Sequence, residues 1–599
     1  MPEFDELCGK AAAWIAGDPD RHTREELSRL VEKAKTDVEA LTVLADRFAG
    51  SLEFGTAGLR GVMAPGPNRM NRAVVIRAAR GLIDYLNATL AAGQPLVVIG
   101  NDARYWSRQF AIDTAAVVTA AGGRALLLPD LLPTPVLAYA VRALNADAGV
   151  MVTASHNPAA DNGYKVYLGG RCVADPQRGV QIVPPYDSQI AEAIAATPTA
   201  IDIPRADSGW TDLGPEIVEL YTLSIAGSDG DESPQLFIDP VFGVQTSPQV
   251  CANAAAGDID PPPSALIRIV HTAMHGVGSG IAREALRLAG FADVVSVAAQ
   301  QQPDPDFPTV PFPNPEEPGA IDMALALADK VNADVVIAND PDADRCAVAV
   351  DDPRTGWRML HGDELGAVLG EELAASISNP NPASGPVFAS SIVSSRLLGQ
   401  IAKAHGIRHT PTLTGFKWMG RVPGLAYAYE EAIGYCVRPD LVHDKDGLAT
   451  AVLAARLVAR LKAEGRTIID LLDDLARQHG LYLTSQLSGR FSDLSLIPKT
   501  MAKLRQAPPS TLAGSRVCEV SDLADGYQGL PPTDGLVLTT GQNDRVIVRP
   551  SGTEPKVKCY LEVILPVDPD ASFEALTQIR TTAKARLEEI KADLAAALF

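Results

Sequence analysis

Apolar residues recur along this chain with two distinct spacings. Over residues 23 to 48, Leu27, Leu30, Val31, Ala34, Val38 and Leu41 fall three and four apart, which predicts a helix with one buried stripe. Beyond it, helical spacing alternates with short apolar runs. Val74 to Leu90 reads as a helix, Leu96 to Gly100 as a strand, Phe110 to Ala121 as a helix and Ala125 to Leu128 as a strand. Another helix leads into the apolar run Ala148 to Val152. A second round follows: strand Leu266 to Val270, the turn Gly276 to Gly280, helix Ile281 to Ala289 and strand Asp334 to Ala338. A third covers roughly 358 to 480, with Phe388-Ala389 leading to a Ser-rich turn and a helix from about Ser394. The last part mixes strands (Arg545 to Val548, Val557 to Val563) with a helix from about Phe573. This alternation predicts α/β layers around largely parallel sheets. Gly227 to Pro263 reads as an irregular insertion or domain-edge loop, and the proline-rich Pro303 to Pro318 as an extended loop.

A chain of 599 residues is too long for one core, and the usual domain size predicts roughly three to five domains. Its composition is ordinary for a globular protein, with 46% hydrophobic and 21% charged residues. The net charge of -21 argues against a nucleic-acid or anionic-membrane binder. A local basic pocket built from Arg60, Lys165, Arg345, Lys417, Lys445, Arg549 and Lys558 is still compatible with a phosphorylated substrate. The seven cysteines are scattered and none has CxxC spacing, so neither a disulfide framework nor a zinc knuckle is expected. The acidic N-terminus lacks a signal-peptide core, and no apolar run is long enough to span a bilayer. A cytoplasmic location follows as an expectation.

Three segments carry chemistry. The strand ending at Val152 stops at Thr153-Ala154-Ser155-His156-Asn157-Pro158, which holds the Ser155 hydroxyl at a strand tip, as a nucleophile or a phosphate carrier. A Ser–His hydrolase is disfavoured because G-x-S-x-G is missing and His156, the immediate neighbour, is poorly placed as a base for Ser155. Asp340-Pro341-Asp342-Ala343-Asp344-Arg345 offers three carboxylates able to converge on one hard cation, magnesium first. An EF-hand would need glycine and glutamate where this chain has Arg345 and Asp351; a solvated acidic turn is the plain alternative. Arg549-Pro550-Ser551-Gly552-Thr553-Glu554-Pro555 reads as an anion cradle: a bidentate arginine, two hydroxyls and a glycine that admits close backbone approach. A simple turn between strands fits the same residues. Lys165 is a candidate for orienting phosphate or moving protons. Glu430 and Glu431 form a candidate sugar loop, and the loops at Thr414 to Lys417 and Asp444 to Gly447 each offer a phosphate-binding lysine. His271 and His275 lack the His-Glu-x-x-His pattern, Gly276 to Gly280 lacks the last glycine of a dinucleotide fingerprint, and no Walker A motif occurs.

Five segments in order, Gly-Thr-Ala-Gly-Leu-Arg-Gly (55–61), Thr-Ala-Ser-His-Asn-Pro (153–158), Asp-Pro-Asp-Ala-Asp-Arg (340–345), Glu-Glu-Ala-Ile-Gly-Tyr (430–435) and Arg-Pro-Ser-Gly-Thr-Glu-Pro (549–555), resemble the α-D-phosphohexomutase superfamily. The branch most similar is the phosphoglucomutase-2 and phosphopentomutase type. The resemblance implies a four-domain α/β architecture around a central cleft: three similar mixed-sheet domains and a smaller C-terminal α+β domain. On this pattern the domains are 1–215 (phosphoserine, with a helical N-terminal extension), 216–357 (metal), 358–482 (sugar) and 483–599 (phosphate).

It also implies a phosphosugar mutase that interconverts a sugar 1-phosphate with the 6-phosphate, or a pentose 1-phosphate with the 5-phosphate. The route runs through a phosphoserine at Ser155 and a catalytic sugar bisphosphate, glucose 1,6-bisphosphate or a pentose equivalent. Mg²⁺ is expected on Asp340, Asp342, Asp344 and a phosphate oxygen on Ser155. Arg60, Lys165 and His156 would assist at the serine. Arg345, Thr414, Lys417, Glu430, Glu431 and Lys445 would bind substrate, and Arg549, Ser551, Gly552 and Thr553 the non-reacting phosphate. The chain departs from the common sugar loop Gly-Glu-x-Ser-Gly at Tyr429 and Ala432, so hexose and pentose both stay open. Alternatives on the same scaffold are a sugar-1,6-bisphosphate synthase and a catalytically silent phosphosugar-binding protein. The expected partner is a small phosphosugar, without nucleic acid or membrane, on a monomer or homodimer.

Overall fold

The computed structural model describes residues 2–227, 236–239, 243–246, 267–378, 384–491, 495–550 and 556–598. The chain forms two compact units, residues 1–349 with 434–459, and residues 350–433 with 460–599. The helix expected over 23–48 is two helices, Arg21–Ala34 and Val38–Arg47. Asp37 breaks it: its carboxylate accepts the backbone N–H groups of Glu39 and Ala40 and so starts the second helix.

The first unit is built on a seven-stranded sheet. Its strands are β1 (Leu59–Val62), β2 (Leu96–Asn101), β3 (Arg124–Leu127), β4 (Ala148–Val152), β5 (Asp161–Leu168), β6 (Val180–Gln181) and β7 (Thr211–Asp212). The order is β1-β5-β4-β2-β3-β7, with β6 beside β5. β4 and β3 both lie parallel to β2, whereas β5 returns antiparallel to β4 and pairs Met151 with Lys165. The sheet is therefore mixed, and the antiparallel return carries Lys165 back to the strand that ends before Ser155. β4 is buried along its whole length, as expected of a central strand covered on both faces. Val150 and Val152 share a core with Val97, Ile99, Phe110 and Tyr164. Each such aliphatic side chain contributes roughly 1.5–3 kcal/mol on burial, so the strand end that presents the serine is firmly anchored.

Strands β8 (Leu236–Asp239) and β9 (Gly243–Thr246) form an antiparallel hairpin inside the segment expected to be irregular. The rest of that segment, from 228 to 263, lies outside the described residues. A second sheet has β10 (Ile269–Thr272) between β11 (Val294–Ser296) and β12 (Val335–Ala338), both parallel to it, and β13 (Ala347–Asp352) antiparallel to β12. His271 sits on β10 and His275 in the loop after it, so the two histidines do not share a helical face. Residues 303–318 contain neither helix nor strand, as the prolines predict.

In the second unit, β14 (Gly356–Met359) precedes the helix Gly362–Ser376, and β15 (Val387–Ser391) lies between parallel strands β16 (Arg408–Thr412) and β17 (Leu425–Glu430). The chain rejoins the first unit at β18 (Gly434–Cys436). The six-stranded C-terminal sheet has β19 (Leu481–Arg490), β20 (Thr511–Leu512), β21 (Ser515–Asp522), β22 (Leu536–Thr540), β23 (Arg545–Pro550) and β24 (Lys556–Leu565), in the order β19-β24-β23-β22-β21-β20. Helix Phe573–Leu598 buries Leu576, Leu587, Ile590 and Leu594 in the same core as Val546, Val548 and Val563.

Candidate active site

Ser155 follows the end of β4 in a left-handed backbone conformation (φ 51°), unusual for a non-glycine residue. Its backbone N–H donates to Thr153 Oγ1 at 2.9 Å. The turn is held from outside by Arg104, whose guanidinium donates to the carbonyls of Ser155 (2.6 Å), Asn157 (2.6 Å), Pro158 (2.8 Å) and Asp161 (3.0 Å). Arg104 is buried beside Asp102 (3.5 Å) and lies over the Phe307 ring. On the far side, the tight turn Gly55–Gly58 leads into β1. Gly58 has φ 73°, and a Cβ there would meet the Tyr164 carbonyl at 1.9 Å, so glycine is required. β1 then presents Arg60, which donates to Asn157 Oδ1 at 3.1 Å.

The aspartate loop follows β12. The Asp340 carboxylate accepts the Ser155 Oγ proton at 2.9 Å through one oxygen and the Arg345 backbone N–H at 3.0 Å through the other. Asp342 accepts from Thr134 Oγ1 at 2.6 Å and from Lys165 Nζ at 2.7 Å. Lys165 also donates to Asp344 at 3.0 Å, and Lys445 Nζ lies 3.3 Å from the same oxygen. Arg345 stands 4.0 Å from Asp344. The glycine-rich turn after β10 supports this loop from beneath. Val277 N–H donates to the Pro341 carbonyl at 2.8 Å, and a Cβ on Gly276 would lie 2.3 Å from Pro341 Cα. That close approach accounts for glycines which resemble a dinucleotide motif in sequence. Asn339 adds a link, donating to the Arg345 carbonyl at 2.8 Å and meeting His271 Nε2 at 3.0 Å.

The donor set fits a divalent cation. Carboxylate oxygens of Asp340, Asp342 and Asp344 lie within 4.8 Å of one another. All three residues are buried, and one oxygen each of Asp342 and Asp344 has no hydrogen-bond partner. An all-oxygen anionic set suits a hard ion. Burial and the two neighbouring carboxylates push Asp340 well above the usual carboxylate range. Burial opposes ionisation of Asp342 and Asp344 as well, but Lys165, aided at Asp344 by Lys445 and Arg345, outweighs it and holds both low. Burial also opposes the charge on Lys165, yet the two carboxylates keep it an ammonium. His156 Nδ1 lies 3.2 Å from Ser155 Oγ, within reach despite its adjacency in sequence. Burial, then Arg345 and Arg60, depress its pKa well below 6.5, so the ring is neutral at pH 7 and a weak base.

Lys445 is positioned by a capped helix start. Asp446 accepts the backbone N–H groups of Leu448 (3.1 Å) and Ala449 (2.9 Å) and the Tyr221 hydroxyl (2.8 Å). Tyr167 holds the adjacent Asp444 at 3.0 Å.

The other candidates lie in the second unit. Arg549, on β23, hydrogen-bonds Thr414 Oγ1 and stands opposite Lys558 in the β23–β24 register. Lys417 sits on the short helix Phe416–Met419, entered through Gly415 (φ 101°). Glu430 ends β17. The Glu431 carboxylate is fixed by the hydroxyls of Ser391 (3.1 Å) and Ser394 (3.0 Å). Tyr429, the departure from the common sugar loop, is fully buried and donates to Asp363 at 3.0 Å, so it packs inward. Ser551, Gly552 and Thr553 lie outside the described residues. Sequence reasoning missed Arg104, Thr134 and Asn339. No local motif marks them, because each acts on a loop distant in sequence.

A serine hydroxyl against a carboxylate triad, with lysine and arginine alongside, is an arrangement that suits phosphoryl transfer. Comparison with known proteins agrees. Models of the phosphoglucomutase/phosphomannomutase family match its α/β/α domain I at residues 51–199, domain II at 253–356, domain III at 361–479 and the C-terminal domain at 512–566. A "Probable phosphomannomutase" of Haemophilus influenzae is 43% identical over 495 residues, covering 82% of this chain and 93% of that protein. The human "Phosphopentomutase" is 32% identical over 618 residues, covering 97% and 95%. A crystal structure of a putative phosphomannomutase from Thermus thermophilus shares the fold, with TM-score 0.62 and 22% identity, over 89% of this chain and 99% of that one. The chain belongs to the phosphoglucomutase/phosphomannomutase family, with its four-domain α/β architecture, and is an enzyme of the phosphosugar mutase kind. Among the described residues, no helix is long and apolar enough to cross a membrane.

Proposed function

We propose that Ser155 carries the phosphoryl group in a mutase reaction on sugar 1-phosphates, with a sugar bisphosphate as intermediate. The observation that carries this reading is the 2.9 Å hydrogen bond from Ser155 Oγ to Asp340 within the buried aspartate–lysine cluster. Asp340, Asp342, Asp344 and a phosphate oxygen on Ser155 would hold Mg²⁺, which when bound neutralises charge on the transferring group. In the first half-reaction a sugar hydroxyl oxygen forms a bond to phosphorus while the bond from phosphorus to Ser155 Oγ breaks; the sugar hydroxyl gives up a proton and Ser155 Oγ regains one. In the second, Ser155 Oγ loses its proton and forms a bond to the other phosphorus of the bisphosphate while the bond from that phosphorus to its sugar oxygen breaks and the sugar oxygen gains a proton, so the phosphoserine is restored and no net proton is consumed. Lys165, held as an ammonium, is the proton donor; the Asp340 carboxylate at 2.9 Å is the nearest acceptor to Oγ, with neutral His156 next at 3.2 Å. Arg60, Arg345 and Lys445 supply positive charge around the group in transit.

Glu430 and Glu431 serve the sugar hydroxyls, with Glu431 as the anchored member, while Thr414 and Lys417 assist Arg549. Arg549 and the segment Ser551–Thr553 grip the phosphate that is not transferred. The same reading divides the chain into domains at 1–215, 216–357, 358–482 and 483–599 and expects the enzyme to work in the cytoplasm. A pentose 1-phosphate is the first substrate to test, because the relative named phosphopentomutase matches across 97% of this chain. The test is incubation with ribose 1-phosphate, glucose 1-phosphate and mannose 1-phosphate, each with Mg²⁺ and a trace of the matching bisphosphate. Formation of the 5- or 6-phosphate supports the reading. Failure with all three overturns it, and net accumulation of bisphosphate from an added acyl-phosphate donor assigns the chain to bisphosphate synthesis instead.

A further inference from the structure

A second cavity, of about 360 Å³, lies wholly within the second unit. Its wall draws on β14, the start of helix Gly362–Ser376, β19 and the helix Phe573–Leu598. None of its lining residues belongs to the serine, metal, sugar or phosphate positions described above. The size is that of a small-metabolite pocket, and hydrogen-bond accounting shows what chemistry it accepts.

The lining carboxylates are already satisfied. Asp352 accepts from Arg358 at 2.8 Å, and Glu364 accepts from Arg358 at 2.7 Å and from the His361 backbone N–H at 2.9 Å. Asp363 accepts from Ser395 N–H at 2.7 Å, Tyr429 at 3.0 Å and Thr484 at 2.7 Å. Donors are left over. Arg580 gives one guanidinium N–H to Asp473 at 2.8 Å, while its Nε is buried with no partner. The half-buried Tyr482 and the exposed Lys584 line the same space, and neither side chain has a hydrogen-bond partner among the described residues. His361 also lines the cavity; its Nδ1 meets the Asp363 backbone N–H at 3.3 Å and Thr484 Oγ1 at 3.2 Å, and no contact is made by its Nε2 among the described residues. Of these donors only Arg580 Nε is buried, and a buried donor without an acceptor costs free energy unless a ligand or water supplies one.

We propose that this cavity is a second ligand site, which takes a small oxyanion, a phosphate ester or a carboxylate, through Arg580, Lys584, Tyr482 and His361. The inference does not depend on the identity of the sugar substrate or on the role of Ser155.

The test uses the full-length protein and hydrogen–deuterium exchange, with inorganic phosphate and succinate as separate probes. Peptides spanning 352–361 and 577–584 should gain protection with at least one probe, and the effective probe decides between phosphate and carboxylate chemistry. Lys584→Glu should weaken that protection about tenfold or more while leaving exchange around Ser155 and Asp340 unchanged. Tyr482→Phe, which keeps the ring and its packing, should weaken it less, about threefold. No protection of these peptides by either probe, or protection indifferent to Lys584→Glu in a folded variant, would overturn the assignment.

Discussion

Replacing Arg104 tests whether the serine turn is held by one buried guanidinium. Four carbonyls at 2.6 to 3.0 Å depend on it. Hydrogen bonds to a charged donor are worth about 1.5–3 kcal/mol each. Their simple sum overstates the loss, because the turn relaxes and water enters. Breaking the buried pair with Asp102 sets a more realistic scale, about 3–5 kcal/mol. The catalytic effect follows from displacement: a shift of roughly 1 Å at a reacting group costs about 100-fold in rate. Arg104→Met should therefore lose about 3–5 kcal/mol of stability and about 100-fold in kcat. Arg104→Lys should fall between, because an ammonium cannot span four acceptors as a planar fork does. Urea denaturation and a coupled assay of sugar-phosphate isomerisation read both quantities. The reasoning fails if Arg104→Lys and Arg104→Met both fold and turn over within about threefold of the unaltered enzyme.

Ser155→Ala should leave urea denaturation nearly unchanged yet reduce turnover by at least about 10⁴-fold, since no other hydroxyl takes its place. Asp342→Asn should weaken Mg²⁺ activation and raise the Mg²⁺ needed for half-maximal rate at least tenfold, as metal titration of activity would show. Gly58→Ala should destabilise by more than about 1 kcal/mol, because the new methyl meets the Tyr164 carbonyl in a left-handed turn; thermal melting checks it. Burial raises Asp446 to about 6 against an ordinary 3.8, so between those values the folded state binds more protons than the unfolded one. Stability from this group is full below pH 4 and falls as pH rises through 6, by ~3 kcal/mol at one pKa unit per 1.36 kcal/mol. Asp446→Asn should abolish that slope, and its advantage over the unaltered protein should grow from pH 4 to 7.5 in chemical denaturation.

Much of the site was legible because its loops are local in sequence. The apolar run Ala148 to Val152 fixes where Ser155 emerges, and the run ending at Ala338 fixes where the aspartates begin. Periodicity also located the helices Arg72–Thr89 and Ser107–Ala120 to within a few residues. It failed at residues 35–37, where a capping aspartate interrupts an unbroken apolar spacing, and at 236–239 and 243–246, where two paired strands lie in a segment rich in turn formers. What spacing could not show was convergence. Lys165 reaches Asp342 and Asp344 only because β5 folds back antiparallel on β4, a pairing set by tertiary packing. Arg104 and Thr134 act on loops distant in sequence, and the roles of Gly276 and Gly278 emerge only where the backbone meets Pro341 and Ala343.

The most direct test follows a single phosphate. Enzyme incubated with Mg²⁺ and labelled sugar bisphosphate, then digested, should yield the label on the peptide containing Ser155. Unlabelled sugar monophosphate should strip it off as bisphosphate at a rate no slower than overall turnover. Label on another residue, or a Ser155 phosphate that leaves more slowly than the enzyme turns over, would contradict the account.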